Sequence, residues 1–188
     1  MGREIQTGGG ALTKLLALDP GESFGWALSG ITEVSVPSIE LGTYYMPNYP
    51  AYVGEHCCVC GAWQLEPTKD SGERFNLLAQ LIETQKDLDA IFIEVAPGLR
   101  GHASVWHLGY LATVQRTAHV LSIPMLTVNP SVWKKYTCRD GRASKLKIRS
   151  EARTRFALFH GAPQDAFDAL HVLAWGLQAW AIREKVEN

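Results

Sequence analysis

The sequence predicts an α/β fold: a mixed sheet, three antiparallel strands followed by βα units, with helices on both faces. Two observations predict it. The N-terminal part holds short apolar runs at close spacing, the pattern of an antiparallel meander. From residue 75 onward, stretches with helical spacing alternate with the strand-like runs "AIFIEV" and "PMLTVN", the pattern of βα units. At 188 residues the chain is long enough for one domain with a substantial core. That domain is expected over 14–182, after a flexible tail at 1–13 that opens "MGREIQTGGG".

Each element has its own warrant. "KLLALD" (14–19) is a continuous apolar run ending in Asp-Pro-Gly, a buried strand followed by a turn. "SFGWAL" and "SIELGTYY" complete the meander. Residues 46–72 are rich in Pro, Gly and Tyr, contain "HCCVCG" and show no period, so they read as a long loop or an insertion. Phe75, Leu78, Leu81, Ile82 and Leu88 share a helical face, and "AIFIEV" is a second buried strand bounded by Pro97 and Gly98. Val105, Leu108, Ala112, Gln115 and His119 mark another helix, followed by the short strand "PMLTVN". Pro130 suits the opening of a helical turn at "SVWKKY". A basic, Gly-containing loop leads to a helix over 143–159, and Pro163 opens the last one.

No apolar run is long enough to span a bilayer, and the N-terminus lacks a signal-peptide core. Three of the four cysteines are packed into "CCVC", unlike a secreted disulfide framework, which points to a reducing, cytoplasmic setting. Net charge is −1, yet residues 131–160 hold nine Lys or Arg against Asp140 and Glu151, so that segment carries +7 and the remainder −8. One basic face on an acidic body is the footprint of a protein that meets phosphates in one place. A solvated helix face is the plainer reading, but such faces usually mix signs.

The acids carry the chemistry. In "QDAFDAL", Asp165 and Asp168 lie three residues apart at the entrance of an otherwise apolar helix and so share a face. Helix-dipole stabilisation alone would account for acids there. Glu94, however, lies inside a buried strand, where a lone charge is rare unless paired or metal-bound. Asp19 ends the first strand, a place where turn chemistry alone also favours Asp. If those two strands are neighbours, both carboxylates emerge at one sheet edge, and the last helix can deliver Asp165 and Asp168 to it. Carboxylates about 4 Å apart repel by roughly 4 kcal/mol at an effective dielectric of 20, so four together need divalent cations. Oxygen-only ligands select Mg²⁺ or Mn²⁺ over zinc, and such a site serves displacement at phosphorus.

With these residues in place, the chain resembles the ribonuclease H-like nucleases, and more narrowly the RuvC-type Holliday junction resolvases, as a phage-borne or divergent member. The resemblance covers most of 15–175. It rests on "ALDPG", on "IE" followed ten residues later by "SVWHLG", on "PSVWKKYTCRDGRASK" and on "PQDAFDAL". It implies a ribonuclease H-like sheet and a Mg²⁺-dependent homodimeric endonuclease acting on four-way or other branched DNA inside a bacterial or phage-infected cell. It also implies metal ligation by Asp19, Glu94, Asp165 and Asp168, with Lys145 reaching the scissile phosphate or the attacking water. Lys134 would hold the backbone nearby, and Lys135, Arg139, Arg142, Lys147 and Arg100 would contact DNA. Two features depart from the family pattern: Pro97 stands where the bacterial enzyme has a wedge aromatic, which Leu99 or Trp106 would have to replace, and the "HCCVCGAW" stretch is not required.

Cys57 and Cys60 have the spacing of half a zinc knuckle, but no second CxxC completes it, and unliganded reduced thiols are the competing reading. His171 falls off the Asp168 face by helical angle and reads as a core histidine or as one that supports the metal-binding residues from behind. Trp133, Trp175 and Trp180 fit helix packing. An apolar face over 105–121 suits a dimer contact. Two rival functions share this fold: a non-catalytic DNA-binding module, and an actin-like or sugar-kinase phosphate-binding domain. The second needs two lobes, more than this chain can hold.

Overall fold

The protein is described from a computed structural model that covers residues 13–20, 24–30, 49–54, 56–63, 71–85, 87–95, 98, 102–156 and 162–187. Six strands form one sheet: β1 (Leu15–Asp19), β2 (Phe24–Ser29), β3 (Tyr49–Val53), β4 (His56–Trp63), β5 (Ala90–Glu94) and β6 (Met125–Val128). Their spatial order is β3-β4-β2-β1-β5-β6. The pairs β1–β2, β2–β4 and β3–β4 are antiparallel, whereas β1–β5 and β5–β6 are parallel. The helices are α1 (Ser71–Thr84), α2 (His102–Val120), α3 (Pro130–Cys138), α4 (Lys145–Phe156) and α5 (Gln164–Glu187). This is the mixed ribonuclease H-like sheet that the sequence predicts.

Side-chain alternation along the central strands divides the core in two. Leu16, Leu18, Ile91 and Ile93 meet Leu78, Leu81, Tyr110 and Val114 from α1 and α2. Leu15, Ala17, Ala90 and Phe92 meet Trp133, Ile148, Phe167, Leu170 and Leu173 from α3, α4 and α5. A sheet covered on both faces requires apolar residues at every position, which is why β1 and β5 read as continuous runs.

Local sequence explains the helix ends near the site. Asn129 caps α3, its Oδ1 accepting from Ser131 N at 2.9 Å, and Pro130 occupies the first turn. Arg139 closes that helix in a left-handed conformation at φ 57°. Ser144 Oγ accepts from Lys147 N at 3.3 Å, so α4 starts two residues later than the expected 143.

Two expectations are corrected. The cysteine segment is no loop: β4 lies between β2 and β3 and carries Cys57, Cys58 and Cys60 within the sheet. Cys58 and Cys60 face one core layer and Val59 the other, so burial on both sides erased any visible period. Its partner β3 is an edge strand, which accommodates Pro50. Leu88 does not continue α1, which ends at Thr84; Asp87 turns the chain at φ 63°, and Leu88 is buried just before β5. The expected strand "SIELGTYY", the N-terminal tail up to residue 12, and Pro97, Leu99 and Arg100 lie outside the described residues.

Candidate metal centre

Sheet register brings the first two acids together. Leu18 of β1 is paired with Ile93 of β5, and Asp19 and Glu94 each follow one residue on, at the same end of two parallel neighbours. The third and fourth arrive from the N-terminus of α5. Their approach depends on Gly25, which pairs with Asp19 across β1 and β2. A Cβ at Gly25 would lie 2.1 Å from the Asp165 carbonyl oxygen, so only glycine lets α5 start this close to the sheet.

Asp19, Asp165 and Asp168 each offer a carboxylate oxygen, all within 4.8 Å of one another, and all three are half-buried. Among the described residues this is the one group of His, Cys, Asp or Glu with such spacing. Glu94 stands beside it but outside that grouping. Its Oε2 accepts a 2.6 Å hydrogen bond from Trp133 Nε1, so the four predicted carboxylates form three plus one. Asp168 Oδ1 accepts from Gln164 Nε2 at 3.1 Å, and Gln164 Oε1 in turn accepts from Arg149 Nε.

The electrostatics follow from crowding and burial. Asp19 is held well above the usual carboxylate range by burial and then by the charges of Glu94, Asp168 and Asp165, against which Lys134 acts. Burial pushes Glu94 up to about 7; the Trp133 hydrogen bond opposes this, Asp168 adds to it, and Lys134 lowers it. Burial likewise raises Asp168 to about 6, with the Gln164 hydrogen bond opposing, Asp165 adding, and Lys134 and Lys145 opposing. A group of oxygen donors that resist ionisation together is what a divalent cation relieves.

The basic residues divide. Lys134 is half-buried, its ammonium 5.2 Å from the Trp133 ring centre. Lys145 is the exposed first residue of α4, and its charge acts on Asp168. Lys135, Arg139 and Arg142 are exposed. Lys147 is paired at 3.3 Å with Asp140, a partner that the sequence alone did not reveal.

Zinc at Cys57 and Cys60 does not fit. Residues three apart on a strand point to opposite faces. Burial pushes the Cys58 thiol up to about 12 and the Cys60 thiol higher still, whereas zinc takes thiolates. All four cysteines are free.

Several contributors escaped sequence reading. Trp133 reads there as simple packing, yet its indole N–H holds Glu94. Gly25 is visible only as a glycine inside a strand, a signal of close backbone approach. Arg149 and Gln164 carry no motif. His107 is buried, burial lowers its pKa, and its ring bonds the backbone of Pro20, next to Asp19.

No family model matches the chain, and no curated protein matches it. Solved structures do. The structure of Thermus thermophilus RuvC in complex with a Holliday junction substrate aligns with a TM-score of 0.65 at 15% identity, over 86% of this chain and 91% of that one. A second structure of Thermus thermophilus RuvC aligns at 0.62 and 16% identity, over 89% and 97%. The fold is that of RuvC. It is reached at an identity low enough to mark a divergent sequence, and the RuvC-like frame spans nearly the whole chain. Among the described residues, no helix is long and apolar enough to cross a membrane.

Proposed function

We propose that the protein is a Mg²⁺- or Mn²⁺-dependent endonuclease that cleaves branched DNA, in particular four-way junctions, as a homodimer. The observation that carries this reading is the trio Asp19, Asp165 and Asp168, with oxygens within 4.8 Å and Glu94 beside them, on a RuvC-like fold. The donor set is all oxygen and electrostatically unsatisfied, which fits a hard divalent cation. Bound there, such ions supply Lewis acidity for phosphodiester hydrolysis and lower the pKa of water.

The protein's own residues divide the remaining work. Asp19, Asp165 and Asp168 hold the cation, and Glu94 completes the set. Lys145, exposed at the start of α4 and felt by Asp168, is placed to contact the scissile phosphate or the water beside it. Lys134 offsets the carboxylates and holds the backbone. Lys135, Arg139 and Arg142, together with Arg100, contact flanking phosphates; Lys147 does so only by giving up Asp140. Support for a homodimer comes from α2, where Val105 and Leu108 are 67% and 61% exposed, and from a two-fold substrate that calls for two sites.

A DNA-binding module without catalysis would gain nothing from mutually repelling acids placed beside phosphate. Incubating the protein with four-way, flap and linear duplex DNA in Mg²⁺ tests the proposal. Metal-dependent cleavage of the branched forms is expected; binding without hydrolysis would favour the module.

A further inference from the structure

Two relays of contacts reach the carboxylates from consecutive residues of α4, one through a ring stack and one through hydrogen bonds alone. In the first, the Ile148 carbonyl lies 3.0 Å from His171 Nε2. A carbonyl only accepts, so Nε2 carries the proton, and Nδ1 is buried without a partner. This fully buried ring stacks on the Trp133 indole, with centroids 5.6 Å apart and planes at 20°. The Phe156 edge closes on it at 5.1 Å. So fixed, Trp133 directs its one N–H onto Glu94 Oε2 at 2.6 Å. In the second relay, Arg149 donates to Gln164 Oε1, and Gln164 Nε2 donates to Asp168 Oδ1 at 3.1 Å. Only one orientation of the Gln164 amide satisfies both neighbours, because guanidinium solely donates and carboxylate solely accepts.

We infer that Trp133 and Gln164 are positioning residues for the cation. Anchored through His171 and Arg149 to consecutive residues of the basic helix α4, they fix the side-chain orientations of Glu94 and Asp168 and leave each carboxylate's other oxygen to the metal. This rests on the reading of the acidic group as a cation site. The plainer alternative is that Trp133 is a core aromatic whose N–H met the nearest acceptor. That account gives no reason for a second relay, from the next residue of α4, to another acid of the group, Asp168.

The test is calorimetric titration of the full-length, DNA-free protein with Mn²⁺. Trp133→Phe keeps an aromatic ring against His171 and loses the N–H; Gln164→Leu removes both contacts of the second relay. Each is expected to weaken Mn²⁺ affinity about tenfold, the lower end for loss of a partner to a metal ligand. Half-saturation of cleavage by Mn²⁺ should shift equally, with the rate recovering at high Mn²⁺. Arg149→Lys, which keeps a donor for Gln164, should stay near wild type, and Arg149→Leu should not. Wild-type affinity in both Trp133→Phe and Gln164→Leu overturns the inference while leaving the nuclease proposal intact. Absence of Mn²⁺ binding by the wild type overturns both. If Trp133→Phe fails to fold, Gln164→Leu, at a half-buried position, decides alone.

Discussion

Replacing Asp168 by Asn separates two consequences of the same charge. Two full charges 4.8 Å apart, the outer spacing of the trio, repel by about 3.5 kcal/mol at an effective dielectric of 20. Burial first, and the charge of Asp165 after it, hold Asp168 near 6 against an ordinary 3.8, a cost of about 3 kcal/mol at 1.36 kcal/mol per unit. Because the folded-state pKa is raised, the metal-free protein keeps the protonated carboxyl's full stability below about 3.8. It loses that stability as pH rises through about 6. Asp168→Asn removes this loss while its amide oxygen still accepts from Gln164. With chelator present at pH 8 the variant should therefore exceed the wild type by about 1–3 kcal/mol, allowing for solvent relaxation, and the gap should shrink towards pH 4. Adding Mg²⁺ should reverse the order, stabilising the wild type and not the variant. Cleavage of a labelled four-way junction should disappear, and binding of that junction should be equal or tighter, since one charge repelling phosphate is gone. Denaturant melts at the two pH values, with and without Mg²⁺, together with a gel-based cleavage assay, provide the readout. Equal stability at pH 8 in chelator, or wild-type turnover, would refute the assignment of α5 to the site.

Charge reversal at both Lys134 and Lys135 should weaken binding to every DNA shape and reduce the slope of log affinity against log salt by about 2, as fewer counterions are released; an unchanged slope would make the basic run a solvated face. Gly25→Ala should push the start of α5 from β2, costing about 1–3 kcal/mol of overpacking and the cleavage activity together; full activity would show that α5 need not sit that close. Elemental analysis should find no zinc, and Cys57→Ser should cleave DNA normally, because Cys57 and Cys60 face opposite sides of β4; dialysis-resistant zinc would reopen the knuckle reading.

What could be seen in the sequence depended on how far apart the causes lie along the chain. β1 and β5 were legible because burial on both faces writes itself as an uninterrupted apolar run, and an acid at the end of each run stands out. The starts of α3 and α5 were legible from Pro130 and Pro163. The same two-sided burial concealed β4, where cysteine substitutes for the aliphatic residues that usually signal a strand, and Pro50 concealed its edge partner β3. The site was legible as four acids but not as three plus one. Trp133 and Glu94 are 39 positions apart, and nothing local says that this indole faces a carboxylate instead of packing anonymously. Gly25 was hidden for a related reason. Its meaning lies in the backbone of Asp165, on an element that only the closed fold brings near.

The distribution of strain bears on how the site works. Through much of the described part of the chain, local preference and tertiary environment agree: β1 and β5 are covered on both faces, Asn129 and Arg139 cap α3, and Asp87 occupies a turn. The disagreement is concentrated where β1, β5 and α5 meet, and there it is large, with carboxylates raised by burial and by each other. An acid that is costly to ionise alone is one whose ionised form gains most from a cation, because binding removes both the repulsion and the need for a proton. Relaxing the cluster by moving one acid outward would stabilise the metal-free fold and weaken the cation's hold in the same step. The bulky, well-packed surroundings oppose that relaxation: Gly25 admits α5, Trp133 occupies the space beside Glu94, and Gln164 holds Asp168. Stability of the empty protein and affinity for the ion should therefore trade off across substitutions in this neighbourhood, with changes that make the chelated protein harder to melt making it poorer at holding Mn²⁺.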